Sequence, residues 1–167
     1  VNLAVAEGDR QTAELGNAVI TSLYDVTPFW VPEKLNQAST FSDDKAEALV
    51  AVDEMSLEAQ SALNMGDMEG AIAAQESALM VALDVFGASH GETIRANQEL
   101  GFIYRQIGMA QEAETYYGDA LVAAEDVLGP FHPVTLEIQA LIAELYAAMG
   151  LAEESQLIGD QIVAGYA

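Results

Sequence analysis

The chain has 167 residues, enough for one ordinary domain or a short repeat array with its own core. Its 27 acids against 5 bases leave a net charge of −22, which argues against nucleic acid or an anionic lipid surface as a ligand and favours a positively charged or apolar partner. No apolar run approaches the ~18 residues of a membrane span, no cysteine is present for a disulfide or thiolate site, and no basic start followed by an apolar stretch marks a signal peptide.

Residues 1–44 follow no repeat and read as an N-terminal capping segment. The helical spacing of Ala13, Gly16, Asn17, Ile20, Leu23 and Tyr24 predicts a helix over Gln11–Tyr24. Pro28 and Pro32 end it, because each restricts its own backbone and that of the residue before it. Phe29, Trp30 and Val31 between them are expected to fold back over the open end of the first helical hairpin. Ser42, Asp43 and Asp44 then begin the next helix, with acids at the positive end of its dipole.

From there a period of 42 governs the chain. Gly66, Gly108 and Gly150 recur at that step, as do Gly87 and Gly129, His90 and His132, Thr93 and Thr135, and Tyr104 and Tyr146. Fixed-period identity of this kind marks stacked supersecondary units. Each unit reads as two helices. Ala113, Tyr117, Ala120, Leu121, Ala124, Val127 and Leu128 form one continuous helical stripe, and Ala71, Gln75, Ala78, Leu79, Ala82, Val85 and Phe86 take the same offsets. Gly87 and Gly129 fall where a left-handed residue would stop each of these helices. Ser89 and Glu92 have the spacing of a capping box for the next helix, and Pro133 suits a first helical turn. That helix runs through Leu100, Tyr104 and Ile107, or Ile142, Tyr146 and Met149. No segment alternates with period two, so no strand is expected.

Leu100, Gly101, Tyr104, Gly108, Ala113, Tyr117 and Ala120 together resemble the tetratricopeptide repeat (TPR), and the turn Leu128–Thr135 is similar to that of the long-helix variant typified by kinesin light chain. The resemblance covers about residues 45–167. It implies an all-α fold, a right-handed superhelical stack of antiparallel helical hairpins, with repeats at about 45–87, 88–129 and 130–167. It also implies a concave groove lined by the first helix of each repeat. Carried onto this numbering, the groove takes Arg95, Gln98, Phe102, Arg105 and Gln106 from the middle repeat. The last repeat adds Glu137, Ala140, Glu144 and Ala147, and the first adds Asp53, Ser56, Gln60, Leu63 and Asn64.

Little in the chain suggests catalysis. His90 and His132 sit at equivalent turns of neighbouring repeats without a metal-binding companion, and are expected to bond their own loop backbone. The acids show no calcium-loop pattern, the serines have no partner histidine, and the glycines form no phosphate loop. No enzyme activity, cofactor or metal is expected. The implied role is a protein–protein interaction module holding a basic or apolar partner segment in the groove. Alternatives are a self-assembling scaffold, using Phe29 and Trp30 with Leu157, Ile158, Ile162 and Val163, or a regulatory segment of a larger protein. Two of the five bases, Arg95 and Arg105, fall on the groove, either to fork to a partner carboxylate or to pair within the chain, Arg95 with Glu92 or Glu99 on its own helix and Arg105 with a glutamate of the next repeat. The start at Val1 and the lysine-poor acidity lean toward a bacterial exported or periplasmic setting.

Overall fold

The computed structural model describes residues 43–165. The expected helix over Gln11–Tyr24 and the turn around Phe29, Trp30 and Val31 lie outside the described residues. Within them are six α-helices and no strand: α1 (Asp43–Met65), α2 (Met68–Phe86), α3 (Gly91–Gln106), α4 (Ala110–Leu128), α5 (Pro133–Ala148) and α6 (Ala152–Gly165). Links of a few residues force successive helices to run antiparallel, and each buries one stripe against its neighbours.

The packing rests on a small-against-large scheme. Ala71, Ala78 and Ala82 of α2 and Ala113, Ala120 and Ala124 of α4 are fully buried, so these helices approach their neighbours closely. Larger side chains fill the space between. Ile94 of α3, Tyr117 of α4 and Ile138, Ile142 and Leu145 of α5 join the α4 alanines in one cluster. Ala59 and Ala62 of α1, Ala71 of α2 and Ile103 of α3 form another, and Val52 meets Ala78 and Ala82 in a third. Tyr117 lies so close to Gly101 that a Cβ there would come within 2.6 Å of its ring.

The turns are of two kinds, and the difference corrects the sequence reading. Left-handed closure with Schellman bonding occurs after α1, α3 and α5, at Gly66, Gly108 and Gly150. At Gly108, for example, its own N–H donates to Arg105 O (3.1 Å) and the Met109 N–H to Tyr104 O (2.9 Å). Gly87 and Gly129, expected to be left-handed helix stops, have φ of 89° and 92° but ψ of 167° and 162°. That extended, positive-φ region is open essentially to glycine alone, and it turns the chain sharply into the next helix. The Gly87 and Gly129 carbonyls accept from Thr93 Oγ1 (2.7 Å) and Thr135 Oγ1 (2.8 Å), which explains why the threonines recur.

The expected capping box at Ser89 and Glu92 does not form, and the cap lies one residue on. The N-cap is His90, whose Nδ1 accepts from the Glu92 N–H at 3.2 Å; His132 does the same for the Val134 N–H at 3.3 Å. Pro133 occupies the first turn of α5 as its missing N–H allows. Glu92 is released from capping and turns its buried carboxylate to Arg95 instead.

Candidate groove along the first helices

The residues singled out in the sequence come from α1, α3 and α5. Gln60, Asn64, Gln106, Glu137 and Glu144 are exposed, and Arg95, Gln98, Phe102 and Arg105 are partly buried. With Asp53, which the sequence also put on this face and which pairs with Arg95, three contacts join members of this set, two of them made by Arg105. The Arg105 guanidinium donates to Glu144 Oε2 at 2.7 Å, and its centre lies 5.7 Å from that of the Phe102 ring. Gln60, Asn64, Gln98, Gln106 and Glu137 stand along the same helices without such a bond between them.

Arg95 is held far more tightly. Its guanidinium reaches Asp53 of α1 (2.7 Å) and Glu92 (2.9 Å) and Glu99 (2.9 Å) of its own helix. Burial works to lower its pKa, but Glu99, Glu92 and Asp53 outweigh it and hold the guanidinium above its usual value. The network extends to α2, where the buried Gln75 amide donates to Glu99 Oε2 at 2.6 Å. Both arginines therefore pair with acids of the chain itself, and each pairs across to the first helix of a neighbouring repeat. Asp53 lies 42 residues before Arg95, and Glu144 lies 39 residues after Arg105.

Glu92 and Glu99 were legible as partners of Arg95 from their helical spacing alone. Sequence reasoning missed Gln75 and the Tyr117 hydroxyl. Gln75 was read as part of an apolar stripe; a glutamine on such a stripe was the available signal. Tyr117 is fully buried, and its hydroxyl has no hydrogen-bond partner among the described residues. Burial raises its pKa, with the charge of Arg105 opposing and that of Glu144 adding, so the phenol lies within electrostatic reach of the Arg105–Glu144 pair.

The repeated tyrosines find different carboxylates. The Tyr146 hydroxyl donates to Glu114 at 2.6 Å, and this bond leads burial and nearby charge in raising its pKa. Tyr104 donates to Glu76 at 3.3 Å and stacks on Tyr116 with ring centres 5.3 Å apart. Its pKa is pushed up to about 12, first by burial and then by Tyr116 and Glu76. The histidines have their Nδ1 atoms engaged in capping, and the His90 ring stacks on Phe86 at 4.6 Å. Among the described residues no group of three or more histidines and acids is placed to hold a metal ion. No described helix is long and apolar enough to cross a membrane.

The Tetratricopeptide repeat family model matches residues 55–126 and 95–167. Among solved structures, the chain is similar to BtubC (BKLC) from P. vanneervenii, with TM-score 0.66 and 19% identity over 98% of this chain and 66% of that one. It is also similar to the nearly identical TPR-like repeats of a Podospora anserina protein assigned as a kinesin light chain. There the TM-score is 0.61 and the identity 22%, over 68% of this chain and 53% of that one. No curated protein matches. The chain thus spans between about half and two thirds of the length of these structures. At such identities the likeness establishes the fold, a solenoid of stacked helical hairpins.

Proposed function

The chain belongs to the tetratricopeptide repeat family, and on that premise we propose that it is a non-catalytic module holding a peptide or protein segment along the face lined by α1, α3 and α5. Repeats of this family generally mediate protein–protein interaction. The observation that carries the reading here is the pair of cross-links Asp53–Arg95 and Arg105–Glu144. They support one face on which the first helices of the repeats 45–87, 88–129 and 130–167 stand side by side. Arg95 and its carboxylates hold the register of that face, while Gln98, Phe102, Gln106, Glu137 and Glu144 meet the partner, with Arg105 seated between Phe102 and Glu144 in the free chain. The net charge of −22 favours a basic or apolar partner.

The test is direct. A partner captured on the immobilised chain loses about tenfold or more in affinity on Phe102→Ala with Glu144→Lys, while helicity by circular dichroism is unchanged. Full affinity in that variant would move the site off this face.

A second reading, self-assembly through the last helix, is favoured by α6. None of its side chains is buried, and Leu157 and Val163 are 62% and 70% exposed. Sedimentation velocity over a concentration series decides it, since a monomer at every concentration removes self-association.

A further inference from the structure

Two side chains in the seam between α3 and α5 already hold a cation. The Arg105 guanidinium lies over the Phe102 ring and on the Glu144 carboxylate. An aromatic face beside a carboxylate is a general recognition unit for guanidinium and ammonium groups. This contact is exchangeable, because Glu144 is 64% exposed and Arg105 26%, and water screens and competes for such a pair. Arg95, under three carboxylates, has no such freedom.

The surroundings point to an incoming cation. At the positions 42 residues on from Gln98 and Arg105, α5 carries Ala140 and Ala147, so it adds neither bulk nor positive charge to the seam. Glu137 on the same helix is exposed and makes no ion pair among the described residues. A buried polar group also lacks its partner. The Tyr117 ring lies against Gly101, one helical turn from Arg105 on α3, and its hydroxyl is unpaired.

We propose that the α3–α5 seam is a receptor for a basic side chain of an extended partner segment, and that Arg105 is its internal occupant, displaced on binding. The inference rests on the interaction-module reading and names its partner chemistry. The incoming guanidinium or ammonium takes over Glu144 and the Phe102 face. Arg105 moves out to solvent, and the Tyr117 phenol oxygen accepts an N–H that the chain itself does not supply. The −22 charge of the chain draws such a segment in.

The experiment uses fluorescence anisotropy with a short labelled peptide alternating glycine and arginine, with citrulline and aspartate versions as controls. The arginine peptide is expected to bind more tightly than either control. Arg105→Ala vacates the receptor and tightens the arginine peptide about fivefold, more than Lys45→Ala, which removes an equal charge elsewhere. Phe102→Ala and Glu144→Gln each weaken it about threefold or more. Tyr117→Phe weakens it while leaving the urea midpoint unchanged or higher, which a purely structural hydroxyl would not do. The proposal is overturned if Arg105→Ala weakens binding, or tightens it no more than Lys45→Ala. It is overturned equally if the aspartate peptide is preferred or if no peptide binds. In those cases the effect of Phe102→Ala with Glu144→Lys on a captured partner still decides the broader module reading.

Discussion

Arg95 and Arg105 share helix α3 and the same chemistry, yet their surroundings set them apart. Glu92, one of the Arg95 partners, has a side chain only 5% exposed, so removing the guanidinium strands a buried carboxylate. Arg95→Met is therefore expected to lower unfolding free energy by about 3–5 kcal/mol, measured by urea denaturation. Arg105→Met faces the exposed Glu144 and changes stability by less than about 1 kcal/mol. A reversed order would mean that the Arg95 network is not intact in solution. Tyr104 supplies a pH test. Its folded pKa of about 12 lies above its ordinary 10.0, so the neutral phenol is favoured by the fold. That contribution is whole below pH 10 and disappears as the pH rises through 12. In an absorbance titration at high pH, Tyr104→Phe removes the step near 12, while the raised Tyr117 and Tyr146 still titrate late. At this scale the sequence showed which residues repeat, but not whom they meet. Tyr104 and Tyr146 are equivalent by period, yet one finds Glu76 and the other Glu114.

At the scale of elements, the two turn types follow from different chemistry. The links after α2 and α4 depend on a positive-φ glycine, a threonine hydroxyl on its carbonyl and a histidine cap. His132→Ala is expected to cost about 0.5–2 kcal/mol in a urea melt, whereas His132→Asn, another side-chain acceptor, retains most of the stability. Equal losses in both would show that the ring packs rather than caps. The helix contacts themselves depend on missing side-chain volume. Gly101→Ala places a Cβ 2.6 Å from the Tyr117 ring and is expected to cost about 1–3 kcal/mol, partly restored when Tyr117→Leu is added. Helix existence and approximate extent were legible because the apolar stripes repeat with helical spacing. The caps were harder to read. Ser89 and Glu92 had the spacing of a capping box, but His90 holds the cap and Glu92 is drawn to Arg95 instead.

At the scale of the whole molecule, the acids that outnumber the bases 27 to 5 in the sequence burden a stack held mainly by alanine-rich contacts and a few ion pairs with like-charge repulsion. Raising the ionic strength from about 0.01 M to about 0.15 M should therefore raise the thermal midpoint, since screening weakens the repulsion more than the buried Arg95 network. A falling midpoint would mean that exposed pairs such as Arg105–Glu144 dominate. The sequence alone determined the period, the all-α class and the family, because each depends on local spacing that a repeat states again in every unit. It also brought out both groove arginines as scarce bases on one helix face. Only the tertiary structure decided what those arginines do. Spacing already put Glu92 and Glu99 beside Arg95 on its own helix, but the links to Asp53 and Glu144 reach first helices about one repeat away, and a single period contains no record of which charges meet across the seam. The same holds for the buried Tyr117 hydroxyl. Its lack of a partner depends on three helices closing around it, a condition that no local pattern encodes.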